Sequence, residues 1–142
     1  MTKQQAIDTV NKYLGFLLTD FPECVKMMTD DFAWENFLPS YIPFGGRYEG
    51  VSGLQKYLAQ LSETWVIGQL VFNDFIFDPE TRILAATGVE KDGKSVATGR
   101  ACDMAFVWEF RFAPDGKLTY LREYNDTAAI GGTFDSSSSA LS

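Results

Sequence analysis

The sequence predicts a single α+β domain, and three observations carry that expectation. Apolar residues recur at helical spacing in the first half, period-two alternation dominates residues 69–125, and tight-turn signals separate the strand-like runs. Residues 2–20 read as an amphipathic helix, because Ile7, Val10, Leu14, Leu17 and Phe21 fall three or four apart, and Thr2 with Gln5 makes a capping box. Pro22 suits the first turn of a short second helix carrying Val25, Met27 and Met28, which closes at Thr29-Asp30-Asp31. Phe32 to Asn36 alternates as a strand, with Phe32, Trp34 and Asn36 on one face. Leu38 to Gly50, with Pro39, Pro43, Gly45-Gly46 and the rings Tyr41, Phe44 and Tyr48, reads as an irregular loop of the kind that lids a site. A third helix over 53–65 buries Leu54, Tyr57, Leu58 and Leu61.

Four strand-like runs follow, over 69–77, 83–90, 95–112 and 118–125. The turns Asp78-Pro79-Glu80-Thr81, Lys91-Asp92-Gly93-Lys94 and Pro114-Asp115-Gly116 join them into an antiparallel meander. The third run puts Cys102, Met104, Phe106, Trp108 and Phe110 on one face, and the fourth sets Glu123 in line with Thr119 and Leu121. A bent sheet with an aromatic inner face and one acid near its end predicts a cone-shaped cavity around helix 1. Its mouth is expected near the 38–50 loop and the end of the last strand. The domain is expected over 1–127. The small, polar stretch 128–142, ending in Ser136-Ser137-Ser138-Ser139, reads as a flexible tail.

Composition narrows the function. At 142 residues the chain supports one core, and with 15% aromatic residues many rings must line it or a cavity. A net charge of −7 and 12 scattered basic residues argue against nucleic acid and against an anionic membrane. No apolar run is long enough to span a bilayer. The N-terminus enters a helical pattern without a signal-peptide core, so a cytoplasmic protein is expected. Cys24 and Cys102 are too few for a disulfide framework and read as buried small hydrophobes. There is no histidine, which removes Ser-His-Asp and Cys-His chemistry and His-based zinc sites. No metal-ligand constellation is read and no cofactor is expected, so a proton-transfer group must be Asp, Glu, Tyr, Lys or Cys.

The element order, with Trp34-Glu35-Asn36-Phe37-Leu38-Pro39, Thr98-Gly99-Arg100, Asp115-Gly116-Lys117 and Arg122-Glu123-Tyr124, resembles the SnoaL-like branch of the nuclear transport factor 2-like superfamily. The likeness covers roughly residues 4–127. It implies a cystatin-like α+β barrel, three N-terminal helices packed on a strongly bent antiparallel sheet, and a homodimer through the outer sheet face. Ketosteroid isomerases, limonene epoxide hydrolase and polyketide cyclases share that fold. Tyr13 falls where the ketosteroid isomerase tyrosine would be, but Asn36 stands in place of the base and Trp108 in place of the protonated acid. Glu123 and Asn36 match the water-holding acid and amide of the epoxide hydrolase, with Trp34 replacing its tyrosine. Its Arg–Asp pair would fall near Val89 and Lys91, where only a register slip would supply Glu90. Polyketide cyclases carry their catalytic Asp about where Glu123 stands.

These comparisons and the residue pattern together nominate Glu123 as general acid or base. Asn36 either orients a water or substrate oxygen or ties the 38–50 loop to the sheet, and Tyr13 either donates to a developing oxyanion or fills the core. Trp34, Tyr41, Phe44, Leu58, Trp65, Met104, Phe106 and Trp108 are the expected pocket lining. Arg100 reaches solvent or an acid, Asp126 caps or turns the chain, and Tyr120 and Tyr124 suit an outer-face interface. The expectation is a cofactor-free enzyme acting on a hydrophobic, oxygenated small molecule of polyketide, terpenoid or steroid-like kind. Isomerisation or cyclisation leads, with epoxide-type hydrolysis behind. The alternative is a non-catalytic small-molecule-binding module or dimeric scaffold of the same fold.

Overall fold

The structure, a computed structural model, describes residues 1–134. Helix α1 spans Lys3–Leu17, and both bonds of the capping box form, Gln5 N to Thr2 Oγ1 at 3.1 Å and Thr2 N to Gln5 Oε1 at 2.8 Å. Its buried stripe is Ala6, Val10, Tyr13 and Leu17. The short α2, Phe21–Val25, opens on Pro22 with Asp20 as its cap. Strand β1 (Met28–Asn36) is longer than its alternating stretch suggested, and β2 (Arg47–Glu49) pairs with it. Helix α3 (Gly50–Thr64) buries Leu54, Tyr57 and Leu61 and runs into β3 (Trp65–Val66).

Strands β4 (Gln69–Asp78), β5 (Ile83–Ser95), β6 (Ala101–Phe112) and β7 (Leu118–Asn125) form the meander. The sheet runs β2-β1-β7-β6-β5-β3, with β4 also on β5, and its neighbours are antiparallel except β1 and β7, which are parallel. It curls as a half-barrel around a core of Val10, Phe32, Leu54, Leu84, Phe110, Leu118 and Leu121. This is the bent α+β architecture expected from the sequence.

Two expectations are corrected. Lys91-Asp92-Gly93-Lys94 is not the turn between β5 and β6, because β5 continues through it as a bulge. Asp92 takes the left-handed backbone (φ 58°), and Gly93 resumes pairing opposite Cys102. The turn falls later, at Thr98-Gly99, where Gly99 has φ 72° and Ser95 N bonds Arg100 O. The polar tail does not start at 128 either: Thr127–Phe134 forms helix α4, and residues 135–142 lie outside the described residues. Ala129 N bonds the Asp126 carboxylate at 3.1 Å, so Asp126 caps α4 as the sequence suggested.

The motif Thr98-Gly99-Arg100 holds α4 in place. Thr98 Oγ1 donates to Thr133 O, and Arg100 Nη1 donates to Gly132 O at 3.0 Å. Ile130 is thereby buried, and Phe134 stacks on Trp65 with ring centroids 5.8 Å apart. Among the described residues no helix is long and apolar enough to cross a membrane.

Candidate active site

Alternation along β7 turns Leu121 and Glu123 inward and Arg122 and Tyr124 outward. Thr119 does not share the inner face. A register shift between Arg111 and Phe112 on β6 brings Leu118 inward in its place. Glu123 lies between Asn36 of β1 and Trp108 of β6 in the sheet register. It is 6% exposed. Trp34 Nε1 donates to its Oε2 at 2.6 Å, and the Tyr57 hydroxyl approaches the same oxygen at 3.4 Å.

Burial raises the Glu123 carboxyl from its ordinary 4.5 to about 7. The Trp34 bond pulls the other way, the charge of Glu90 adds to the rise, and the weaker Tyr57 contact opposes it. Tyr57 is itself held well above 10, by burial first and then by the Glu123 charge, so its hydroxyl keeps its proton and can donate. A carboxyl that titrates near neutrality can both take and return a proton at working pH.

A second acid faces the same cavity. Glu90, 7% exposed, enters from the inner face of β5 just before the bulge. Its Oε2 accepts from Trp65 Nε1 at 2.8 Å and Gly68 N at 3.1 Å. Gly93 has to be glycine there, because a Cβ would lie 2.4 Å from both Glu90 Oε2 and Trp65 Cζ2. Among the described residues no hydrogen bond reaches the other oxygen, Oε1, of either acid.

The cavity measures about 110 Å³ and is lined by Trp34, Phe44, Leu58, Trp65, Met104 and Trp108 from the expected set. Leu14, Leu17, Leu38, Tyr57, Leu70 and Ile130 complete much of the apolar wall. Two polar atoms on lining residues are buried without a partner, Trp108 Nε1 and Asn125 Oδ1. Leu18 and Ile67 are the lining residues most open to solvent, so the cavity opens beside the end of α1 and the segment after β3. The 38–50 loop, expected at the mouth, supplies wall instead through Leu38 and the buried Phe44.

Four nominated residues lie elsewhere. Tyr13 is buried behind Trp34, with its hydroxyl on Met28 Sδ at 3.6 Å, so it is core. Asn36 is used by the backbone: its Nδ2 donates to Phe44 O at 3.0 Å, and its Oδ1 accepts from Gly46 N at 3.0 Å and Leu38 N at 3.3 Å. It therefore ties the loop, with both acceptor positions of Oδ1 and one Nδ2 hydrogen used by the backbone, and it does not line the cavity. Tyr41 is 54% exposed, with its hydroxyl beside Gly131 on the outer side of α4. Phe106 packs over side-chain-free Gly88, between Phe72 and Trp108, and lies off the cavity.

Tyr57, Glu90 and Asn125 are the polar members missing from the nominated set. Tyr57 reads only as an apolar position of a helix, and Glu90, at the end of the strand-like run 83–90, enters the sequence reading only through a register slip. The signal for Asn125 was its period-two spacing from Glu123. Burial raises both thiols to about 11, so Cys24 and Cys102 stay protonated near neutrality. Among the described residues no group of three or more His, Cys, Asp or Glu side chains converges as a metal site would require.

Neither a protein-family model nor a curated protein matches the chain. Solved structures do. A nuclear transport factor 2-like protein from Burkholderia xenovorans superposes with a TM-score of 0.78 at 20% identity, over 95% of this chain and 99% of that one. A candidate isomerase from Rhodopseudomonas palustris gives 0.72 at 18%, over 90% and 94%. TerC, co-crystallised with polyporic acid, gives 0.74 at 22%, over 93% and 99%. The chain thus has the cone-shaped fold of the nuclear transport factor 2-like and SnoaL-like proteins.

Proposed function

We propose that the protein is an acid–base enzyme, an isomerase or cyclase, acting on a small hydrophobic molecule with an oxygen function. The observation that carries this is Glu123: a carboxyl enclosed by rings, which burial raises to about 7, with both of its hydrogen bonds among the described residues on Oε2. In this reading Oε1 takes a proton from the carbon next to a carbonyl, and the double bond shifts as negative charge moves to the oxygen. Trp108 Nε1, otherwise unpaired, donates to that oxygen. The same Glu123 proton returns to a different carbon, so atoms and charge balance without a co-reactant.

The cavity volume favours compact substrates. An apolar cavity of about 150 Å³ holds one benzene ring, so a space of about 110 Å³ suits one ring better than four. Epoxide-type hydrolysis has less support, because the amide that would help hold the water is bonded to the loop and lies off the cavity lining. The candidate isomerase and the small-molecule complex among the structural neighbours fit the same reading.

Solvent-deuterium exchange and double-bond migration in a panel of one-ring enones tests it. Wild type should react with a midpoint near pH 7. Glu123→Gln should lose about 100-fold or more in rate while remaining folded. A stable Gln variant with full activity ends the assignment, and tight binding without turnover in wild type favours the binding-module reading. Pairing of two copies through the outer face of β1, β7 and β6 belongs to the same proposal. It is supported by the exposed Phe37–Tyr124 stack, with centroids 5.4 Å apart, and sedimentation checks it.

A further inference from the structure

We infer that the ligand of this cavity is a compact cation, a protonated amine whose ammonium sits against Oε1 of Glu90. This rests on the cavity being a ligand site and adds the ligand's charge to it. Two carboxyls, Glu90 and Glu123, face one cavity, and among the described residues that line it none is Lys or Arg. A buried carboxylate without a counter-charge is costly; Glu123 relieves that cost by holding its proton, and an ammonium beside Glu90 relieves it without one.

The rest of the wall suits a cation as well. Trp34, Phe44, Tyr57, Trp65 and Trp108 line it, and aromatic rings attract an ammonium through their quadrupoles. The net charge of −7 draws cations toward the protein. The local chain is also built around Glu90: the bulge, the absent side chain at Gly93 and the Gly68 N–H all serve to hold its Oε2, leaving Oε1 for something else.

Register sets the ligand's shape. Glu90 lies opposite Met104 on β6, whereas Glu123 lies opposite Trp108 on the same strand. The ammonium site and the proton-transfer site are therefore at different levels of the cone. A ligand with its amine at Glu90 and its oxygen at Trp108 spans them, which describes an amino carbonyl compound.

Calorimetric titration of wild type with benzylamine and its neutral isostere benzyl alcohol, near pH 8, tests the inference. Benzylamine should bind about tenfold tighter or better. Glu90→Gln keeps an acceptor for Trp65 and Gly68, so it should remove that preference while changing benzyl alcohol binding less than about twofold. The groups facing the site are Glu123 from β7 and Tyr57 from α3, with Cys102 of β6 near Glu90. Tyr57 and Cys102 keep their protons in this range, so the amine preference should weaken toward about pH 5.5 as Glu123 is protonated.

Equal binding of the two probes, or an unchanged preference in Glu90→Gln, overturns the inference. Benzyl alcohol binding alone overturns the ammonium and leaves the ligand site standing. If neither ring compound binds, both fail. The wild-type comparison decides the matter even if the variant does not fold.

Discussion

The two faces of β7 treat acidic neighbours differently. On the outer face, Arg47 lies 3.6 Å from Glu35, Arg111 lies 3.0 Å from Glu109, and Arg47, Arg111 and Arg122 all lie over the Tyr120 ring at 5.1 to 5.6 Å. On the inner face the partners of Glu123 and Glu90 are uncharged donors, an indole N–H for each together with the Tyr57 hydroxyl and the Gly68 N–H. A guanidinium neutralises a carboxylate, and at a solvated surface such a pair contributes about 0–1 kcal/mol. An indole donor fixes one oxygen but brings no charge. Removed from water without a counter-ion, Glu123 becomes a group that can exchange its proton near neutrality. One strand thus carries a structural face and a chemical face, divided by which donors meet its acids.

The comparison can be broken most severely at Glu123 itself, through the loss of turnover expected for the Gln variant. The next effect is on stability. Glu123 binds its proton more tightly folded (about 7) than at its ordinary 4.5, so the native state holds the extra proton between those values. The stabilisation is complete below about 4.5 and lost as pH rises through 7, roughly 3 kcal/mol in all. Denaturant titrations across that window should show this decline in wild type and a flatter profile in Glu123→Gln.

A smaller effect is expected at Asn36. Asn36→Ala orphans Gly46 N and the Phe44 carbonyl and should cost about 1–3 kcal/mol, while leaving the pH midpoint of any activity in place. Trp34→Phe removes the strongest bond holding the Glu123 anion. Its pH–rate midpoint should therefore move above 7. Tyr13→Phe should do least: it loses only hydroxyl contacts with the sulfurs of Met28 and Cys24, so stability should change by less than about 1 kcal/mol and rate not at all. A large rate loss there would return Tyr13 to the site.

What the sequence made legible follows its periodicities. Alternation on β6 and β7 placed Met104, Trp108 and Glu123 on the inner face, and the i, i+3, i+4 stripe placed α1. Phe106 shared that alternation, yet Gly88 let its ring lie against the sheet, a contact between strands that no local pattern encodes. Lys91-Asp92-Gly93-Lys94 has the chemistry of a turn, and a bulge uses the same chemistry, so only the pairing partner separates the two. Glu90 falls at the end of the run before that turn, where the sequence alone does not set its register against β6. Helix α4 escaped notice because Gly131-Gly132 lowers its propensity, and it is held by Thr98, Arg100 and the packing of Ile130 and Phe134 rather than by its own residues. Asn36 sat on the correct face, but its three loop bonds depend on where Phe44 and Gly46 return in space.

The central claim is that an uncharged donor set leaves Glu123 titrating near neutrality. The most direct test is the side-chain carboxyl ¹³C resonance of Glu123, assigned by its absence in Glu123→Gln and followed from acid to alkaline pH. A midpoint near 7 is the result predicted here. A midpoint near the ordinary 4.5 would mean that the carboxyl is solvated or paired with a charge, and the acid–base role would lose its basis.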